Sequence, residues 1–393
     1  MIFLDNASTT KPDEQIIQNF VDYQKYYFNP GANYSPSVFI SSLIEKARAE
    51  IVSLLGGSEL GTFVFTPSST ISNNIILNSI VSNNKNEEYV FSSLEHPSVL
   101  NFANKLLLDG KKVIFVPSTI DGFIDEKELL NAINSNTKFV SIINVSKETG
   151  AVNNVNYLAK KIKEINPKTL VHSDGVQALG KIKICLDNLD FYTISSHKIY
   201  GIKGIAGFYA KNIKTLKPFV IGGGQEFNII SGTTNAPMIF CLRDAVKNAV
   251  LNLKQNFQKV CNLNLVLKEK LKSIPNLVIN SPKLNIESDK FNQNSCACSP
   301  YILSVSVLGV NAETIQNMLS KKEIYIGLGS ACSAKKSGNK VLESMHKSKA
   351  EILGNLRISL SKNTTQPEIE TFAKELILCT KDLREKLKWK RLF

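Results

Sequence analysis

Lys198 is a candidate covalent nucleophile, because it follows a short apolar run and stands in a turn bracketed by serines and glycines, Thr193-Ile-Ser-Ser-His-Lys-Ile-Tyr-Gly-Ile-Lys-Gly204. The run 191–194 reads as a buried strand, Ser195 and Ser196 turn the chain, and Gly201 and Gly204 let it double back into a second strand at 205–210. A lysine at such a strand end, partly desolvated and beside His197, has its ammonium form disfavoured, which is what a Schiff base with an aldehyde requires. The bland alternative is a solvated lysine, one of 47 lysines and arginines, so the case rests on its neighbours.

Upstream, Thr169-Leu-Val-His-Ser-Asp-Gly-Val-Gln177 is a short apolar strand ending in Asp174, with Gln177 three residues on. A carboxylate there faces a cleft at the sheet end; if the aldehyde is pyridoxal phosphate, Asp174 pairs with the pyridine nitrogen and makes the ring an electron sink. The competing reading of Asp174 is a helix N-cap. Pro67-Ser-Ser-Thr70 leads into a helix, and its hydroxyls and backbone N–H groups serve equally as a phosphate site or as ordinary N-caps. Cys332 lies in Gly329-Ser-Ala-Cys-Ser-Ala-Lys-Lys-Ser-Gly-Asn-Lys340, too polar a stretch to bury it, where nearby lysines favour thiolate. Arg357, in the apolar strand Leu356-Arg-Ile-Ser-Leu360, suits either a bidentate grip on a carboxylate or a structural ion pair.

His172-Ser-Asp-Gly-Val-Gln followed by Ser195-Ser-His-Lys-Ile-Tyr-Gly-Ile-Lys-Gly resembles the cofactor core of the cysteine desulfurases, NifS/IscS-like enzymes of the class V aminotransferase fold that hold pyridoxal phosphate. The resemblance runs from Leu4-Asp-Asn-Ala-Ser-Thr-Thr to Leu356-Arg-Ile-Ser-Leu360, with the motifs in the family's order. It implies a fold-type I enzyme with a large domain built on a mostly parallel seven-stranded sheet and a smaller α+β domain. It implies Lys198, Cys332 and His96 as catalytic residues, the last an imidazole on the pyridine ring that can move protons; by itself a histidine before a proline reads as a turn histidine. Ser69, Thr70, His96, Lys147, Asp174, Gln177, Ser195, His197, Lys198 and Thr233 are implied to hold the cofactor, and Arg357 with Lys147 the substrate carboxylate. Three positions depart from the pattern. Lys147 stands where relatives carry an asparagine, Ile230 where an arginine precedes Ser-Gly-Thr233, and Pro67 within the phosphate loop.

The implied reaction takes sulfur from L-cysteine, leaving alanine and a persulfide on Cys332 that passes to a protein acceptor serving iron–sulfur clusters or tRNA thiolation. It also implies a homodimer, since the Ser231-Gly-Thr233 segment reaches the neighbouring phosphate site. The alternative is a non-catalytic or altered-specificity descendant, a selenocysteine lyase or transaminase-like protein, favoured by the three departures and opposed by the Cys332 loop.

Around these residues, strands at 63–66, 89–92, 113–116, 138–145 and 169–174 alternate with helices at 38–55, from 71, at 125–134 and at 156–165. Such alternation predicts a mostly parallel sheet with ligands at its carboxyl ends. From about 255 a long helix gives way to short strands, so residues 13–254 read as the cofactor domain, and 1–12 with 255–393 as the smaller one. The net charge of +13 is scattered, with no aromatic-interleaved basic patch for nucleic acid. No apolar run is long enough for a membrane helix and no signal-peptide pattern opens the chain, which predicts a cytoplasmic protein. Seven cysteines read as reduced thiols, and Cys296-Ala-Cys298 lacks the second pair or histidines of a zinc site, so no metal is expected.

Overall fold

A computed structural model describes residues 1–284, 297–329 and 339–387. The larger sheet has seven strands in the order β2-β8-β7-β6-β5-β3-β4, formed by Thr62–Thr66 (β2), Glu88–Ser92 (β3), Lys112–Val116 (β4), Thr137–Ser141 (β5), Leu170–Asp174 (β6), Phe191–Ser195 (β7) and Ala206–Ala210 (β8). Only β8 runs antiparallel to its neighbours; every other pairing is parallel, as the strand–helix alternation predicts. Because the parallel strands are covered on both faces, they read as continuous apolar runs. Phe63, Phe65, Val90, Val140, Val171, Tyr192 and Ile194 face one buried cluster, and Val64, Phe91, Phe139, Phe191 and Phe208 the other.

The helices before the carboxyl half are Glu14–Asp22 (α1), Ser35–Leu54 (α2), Ser69–Ile80 (α3), Pro97–Leu108 (α4), Glu126–Asn131 (α5) and Val155–Ile165 (α6), followed by Ala236–Leu251 (α7) and Leu253–Leu271 (α8). Local chemistry starts most of them: Ser68, Asp125 and Asn154 each accept a backbone N–H of the first turn, and Pro97 and Pro237 occupy first-turn positions. Strand β5 stops at Ser141, short of the expected 145. The chain continues it as a ladder to β6, with Ile142 and Asn144 donating to the carbonyls of His172 and Asp174.

The second sheet has five strands in the order β1-β11-β12-β10-β9: Ile2–Leu4 (β1), Leu277–Ile279 (β9), Ile302–Val307 (β10), Ile324–Leu328 (β11) and Asn355–Ser359 (β12). Helices Ala312–Ser320 (α9), Lys340–Ser344 (α10), Lys349–Leu353 (α11) and Gln366–Lys386 (α12) complete it, with α8, α9 and α12 closing an apolar core around Leu267, Val305, Leu356, Ile358 and Phe372. Strand β1 joins this sheet parallel to β11, and Asn6 bonds the Ser359 carbonyl. Residues 5–12 then cross to the other sheet, where the Thr10 N–H donates to the His197 carbonyl and that of Asp13 to Tyr200.

Candidate active site

The carboxyl ends of β6 and β7, the start of α3 and the crossing segment 5–12 surround a cavity of about 660 Å³. Ser69, Thr70, His96, Lys147, Asp174, Gln177, Ser195, His197, Lys198 and Arg357 all line it. Of the residues singled out in the sequence, Thr233 lines instead an adjoining pocket of about 300 Å³, which shares Pro67, Gly204 and Ile205 with the first. Cys332 lies outside the described residues.

Lys198 leaves β7 through a 3₁₀ turn, Ser196–Lys198, and the following Tyr200 takes a positive φ of 63°. Its Nζ donates to the carbonyls of Ala7, at 2.7 Å, and Ser8. Burial, then the guanidinium of Arg357, push the ammonium down to about 8, with Lys147 acting in the same direction and Asp5 and Asp174 opposing. His197, whose Nδ1 lies 3.0 Å from Thr9 Oγ1, is pushed down to about 4 by burial and by Lys198, so it is neutral at physiological pH.

Asp174 is buried at the end of β6. Its Oδ2 accepts from Asn73 Nδ2 at 3.1 Å and its Oδ1 from the Val176 N–H at 3.0 Å, which is a turn contact two residues on and not the cap of a helix. Behind it, Ser141 Oγ donates to Glu95 Oε1 at 2.9 Å and lies 2.9 Å from His172 Nδ1, whose Nε2 faces Thr193 Oγ1 at 3.1 Å. Burial, reinforced by the charge of Asp174, holds Glu95 well above the ordinary carboxylate range, whereas burial, against the opposing charge of Asp174, brings His172 down to about 4. Beneath Asp174, His172 is therefore neutral, and burial favours the protonated form of Glu95.

His96 caps a helix and also lines the cavity. Its Nδ1 accepts from the Ser98 N–H at 3.1 Å, capping α4, and its ring faces the cavity. Burial lowers its pKa, with Lys147 and Lys198 adding to the effect and Asp174 opposing it. At the other end of the cavity, Ser68 caps α3 by accepting from the Ile71 N–H, leaving Ser69 and Thr70 on the first turn with Ser195, His197 and Lys203 across from them.

Arg357 is held from two sides. Its Nη2 lies 2.9 Å from Asp5 Oδ1, and its Nη1 lies 3.9 Å from the buried carboxylate of Glu148 and donates to the Lys147 carbonyl at 3.5 Å. Lys147 Nζ is 3.5 Å from the same Glu148 carboxylate, so the charge this position adds to the site is matched by its neighbour. The loop carrying both is anchored to the second sheet's approach, with Ser299 N–H donating to the Gly150 carbonyl at 2.7 Å and Ala151 bridged to Cys298. Ile230 packs partly buried against the Val64, Ile75 and Phe208 cluster. Sequence reasoning did not single out Asn73, Glu95, Lys181, Lys203 or the carbonyls of Ala7 and Ser8. Backbone acceptors carry no side-chain signal, and the others become visible only once β5, β6 and α3 are brought together.

A family model described as "Aminotransferase class-V" matches residues 2–372. The chain is 31% identical to "Cysteine desulfurase IscS" of Rickettsia typhi over 396 residues, covering 98% of this chain and 92% of that one. Among solved structures, a protein titled "NIFS-LIKE PROTEIN" superposes with a TM-score of 0.87 at 29% identity, covering 97% of this chain and 99% of that one. A NifS-like protein from Rickettsia africae does so with a TM-score of 0.83 at 28% identity, again over 97% and 99%. With a buried carboxylate, a desolvated lysine and a paired arginine converging at the carboxyl ends of a parallel sheet, and with this likeness along nearly its whole length, the chain belongs to the class V aminotransferase family, as a cysteine desulfurase of the NifS/IscS kind.

Proposed function

We propose that this protein removes sulfur from L-cysteine with the help of pyridoxal phosphate, leaving alanine and a persulfide on Cys332. The observation that carries the reading is the convergence of Lys198, Asp174, His96 and Arg357 on one cavity with a hydroxyl-lined helix start. The donor set fits the cofactor: a buried carboxylate suits a pyridinium nitrogen, a lysine of lowered pKa an aldehyde, and the Ser69–Thr70 turn of α3 with Ser195 and His197 a phosphate. When bound, pyridoxal phosphate supplies an electron sink at the substrate's α carbon.

The chain's own residues do the rest. Gln177 and Lys147 would help hold the cofactor, and Arg357, which lies beside Asp5, would grip the substrate carboxylate and so fix the orientation of the bound cysteine. Lys198 and neutral His96 are the cavity's proton-transfer groups. The Cys332 thiolate attacks the sulfur of bound cysteine. As the new S–S bond forms, the carbon–sulfur bond breaks with its electron pair on the carbon side, and that carbon takes a proton to become the methyl group of alanine.

The same proposal takes residues 13–254 as the cofactor domain and 1–12 with 255–393 as the smaller domain, in a cytoplasmic protein; no helix among the described residues is long and apolar enough to cross a membrane. It takes the protein as a homodimer in which Thr233 of each protomer faces the other's phosphate end. Support comes from its position outside the Lys198 cavity and from the neighbouring exposed apolar residues Val220, Ile221 and Phe227. A protein acceptor for the persulfide, in iron–sulfur assembly or tRNA thiolation, completes the cycle. Cys332→Ser is the test. At equal cofactor occupancy it should still bind cysteine and perturb the visible spectrum yet form no alanine; alanine formation at the wild-type rate overturns the persulfide route.

A further inference from the structure

Lys181 is buried to 5% exposure yet makes no ion pair among the described residues. Its Nζ donates to Gln177 Oε1 at 2.7 Å. Gln177 in turn donates from Nε2 to the Ala7 carbonyl at 2.8 Å, and the same carbonyl accepts Lys198 Nζ at 2.7 Å. Four groups thus form one run, Lys181 to Gln177 to Ala7 and back from Lys198. The turn that makes it possible folds back at Gly180, whose φ of +72° admits glycine and whose Cβ position would meet Ala249 at 2.8 Å.

The chemistry of the two ends decides the orientation of the amide between them. A lysine only donates and a carbonyl only accepts, so Oε1 must face Lys181 and the NH₂ must face Ala7. A flip would set two donors and two acceptors against each other in a buried place. Gln177 and Ala7 both line the cavity, and the NH₂ is the end of the amide that faces Ala7. We propose that Lys181 is a positioning residue that locks Gln177 with its donor face toward the cavity, so that an anionic oxygen of the bound cofactor meets an N–H and never a carbonyl. This rests on the reading of the cavity as a pyridoxal phosphate site.

The surroundings suit such a role. The titratable groups facing Lys181 are Lys198 and His197, together with Tyr200 and Lys362 across a void of about 10 Å³, the size of a single water. None is an anion, and burial followed by the charge of Lys198 brings Lys181 down to about 7. The ammonium can only donate; the neutral amine can also accept, but the Ala7 carbonyl at the other end of the amide cannot donate, so the NH₂ of Gln177 keeps its place on both sides of neutrality.

The test is the pH titration of the visible band of the cofactor-bound protein, read in wild type, Lys181→Met, Gln177→Ala and the double variant. Loss of the donor weakens the hold on an anion, so Lys181→Met should move the midpoint upward by about half a pH unit or more. Gln177→Ala should move it likewise, and the double variant no further than Gln177→Ala alone. Should Lys181→Met fail to fold, Lys181→Leu, which also lacks a donor, carries the same comparison. An unmoved midpoint in a folded Lys181 variant overturns the inference. So does an equal additional shift in the Gln177→Ala background, which would mean that Lys181 acts by its charge alone. A wild-type protein that develops no visible band with pyridoxal phosphate overturns the cofactor reading itself, and the inference with it.

Discussion

The rate at which Lys198 captures an aldehyde should be set by a pKa of about 8, and this can be followed directly. Burial and the guanidinium of Arg357 lower it, and Lys147 helps, against the opposing charges of Asp5 and Asp174. The sign follows: because the neutral amine is the attacking form and the pKa is depressed, the reactive fraction grows as pH rises and saturates above about 8. At pH 7.5 about a quarter of the amine is free, against about one part in a thousand for an ordinary lysine, a gain of roughly 200-fold. In protein stripped of cofactor, growth of the visible band at a fixed excess of pyridoxal phosphate should therefore climb about tenfold per pH unit from 6 to 7.5 and level off by 9. Lys147→Asn removes a nearby cation whose effect falls short of burial's, so the midpoint should rise and the rate at pH 7.5 drop roughly 2- to 5-fold, with an unchanged plateau. A rate that keeps rising tenfold per unit to pH 10 in the wild type would refute the reasoning, since it would mean that Lys198 titrates as a solvated side chain.

Arg48→Met should cost about 3–5 kcal/mol in urea unfolding, because it strands the buried carboxylate of Glu226, which Arg48 now meets at 2.8 and 2.9 Å. The double variant Arg48→Met/Glu226→Gln should regain much of that loss, and a single-variant cost below about 1 kcal/mol would contradict the buried pair. Arg357→Ala should raise KM for cysteine about 10- to 100-fold, the loss of a charged hydrogen-bonded contact, while the visible band of the cofactor persists. An unchanged KM in alanine formation would remove Arg357 from the substrate grip.

The large sheet was legible because parallel strands buried on both faces are written as short apolar runs, and because Ser68, Asp125 and Asn154 mark helix starts by their own side chains. What escaped was what depends on partners distant in sequence. Strand β1 is three residues long and acquires its meaning only from β11. The pairing of Arg48 with Glu226 joins positions 178 residues apart, around a loop whose Glu226, Phe227 and Asn228 all take positive φ, a conformation that only Asn228 among them advertises by its type. At the site, Asp174 and Lys198 could be picked out by type and setting, whereas Lys181 looked like one more surface lysine. Its burial follows from the packing of Gly180 against α7, a fact of tertiary structure.

The segment that crosses between the sheets also fixes when the site can first exist during synthesis. Residues 2–4 pair with 324–326, Asn6 reaches Ser359, and the carbonyls of Ala7 and Ser8 hold the Lys198 amine. The ribosome makes these residues well before their partners, and at roughly 5–20 residues per second some 10–70 s pass between them. The large sheet, whose strands all fall between 62 and 210, can collapse during that wait, leaving Ile2, Phe3 and Leu4 without a sheet to join and Lys198 without its two acceptors. Closure of a loop of this length comes last and is slow, as for any fold dominated by distant contacts. A chain halted before β12 would carry Lys198 on a formed strand with an unfinished pocket, so capture of the aldehyde becomes a report that synthesis has passed β12.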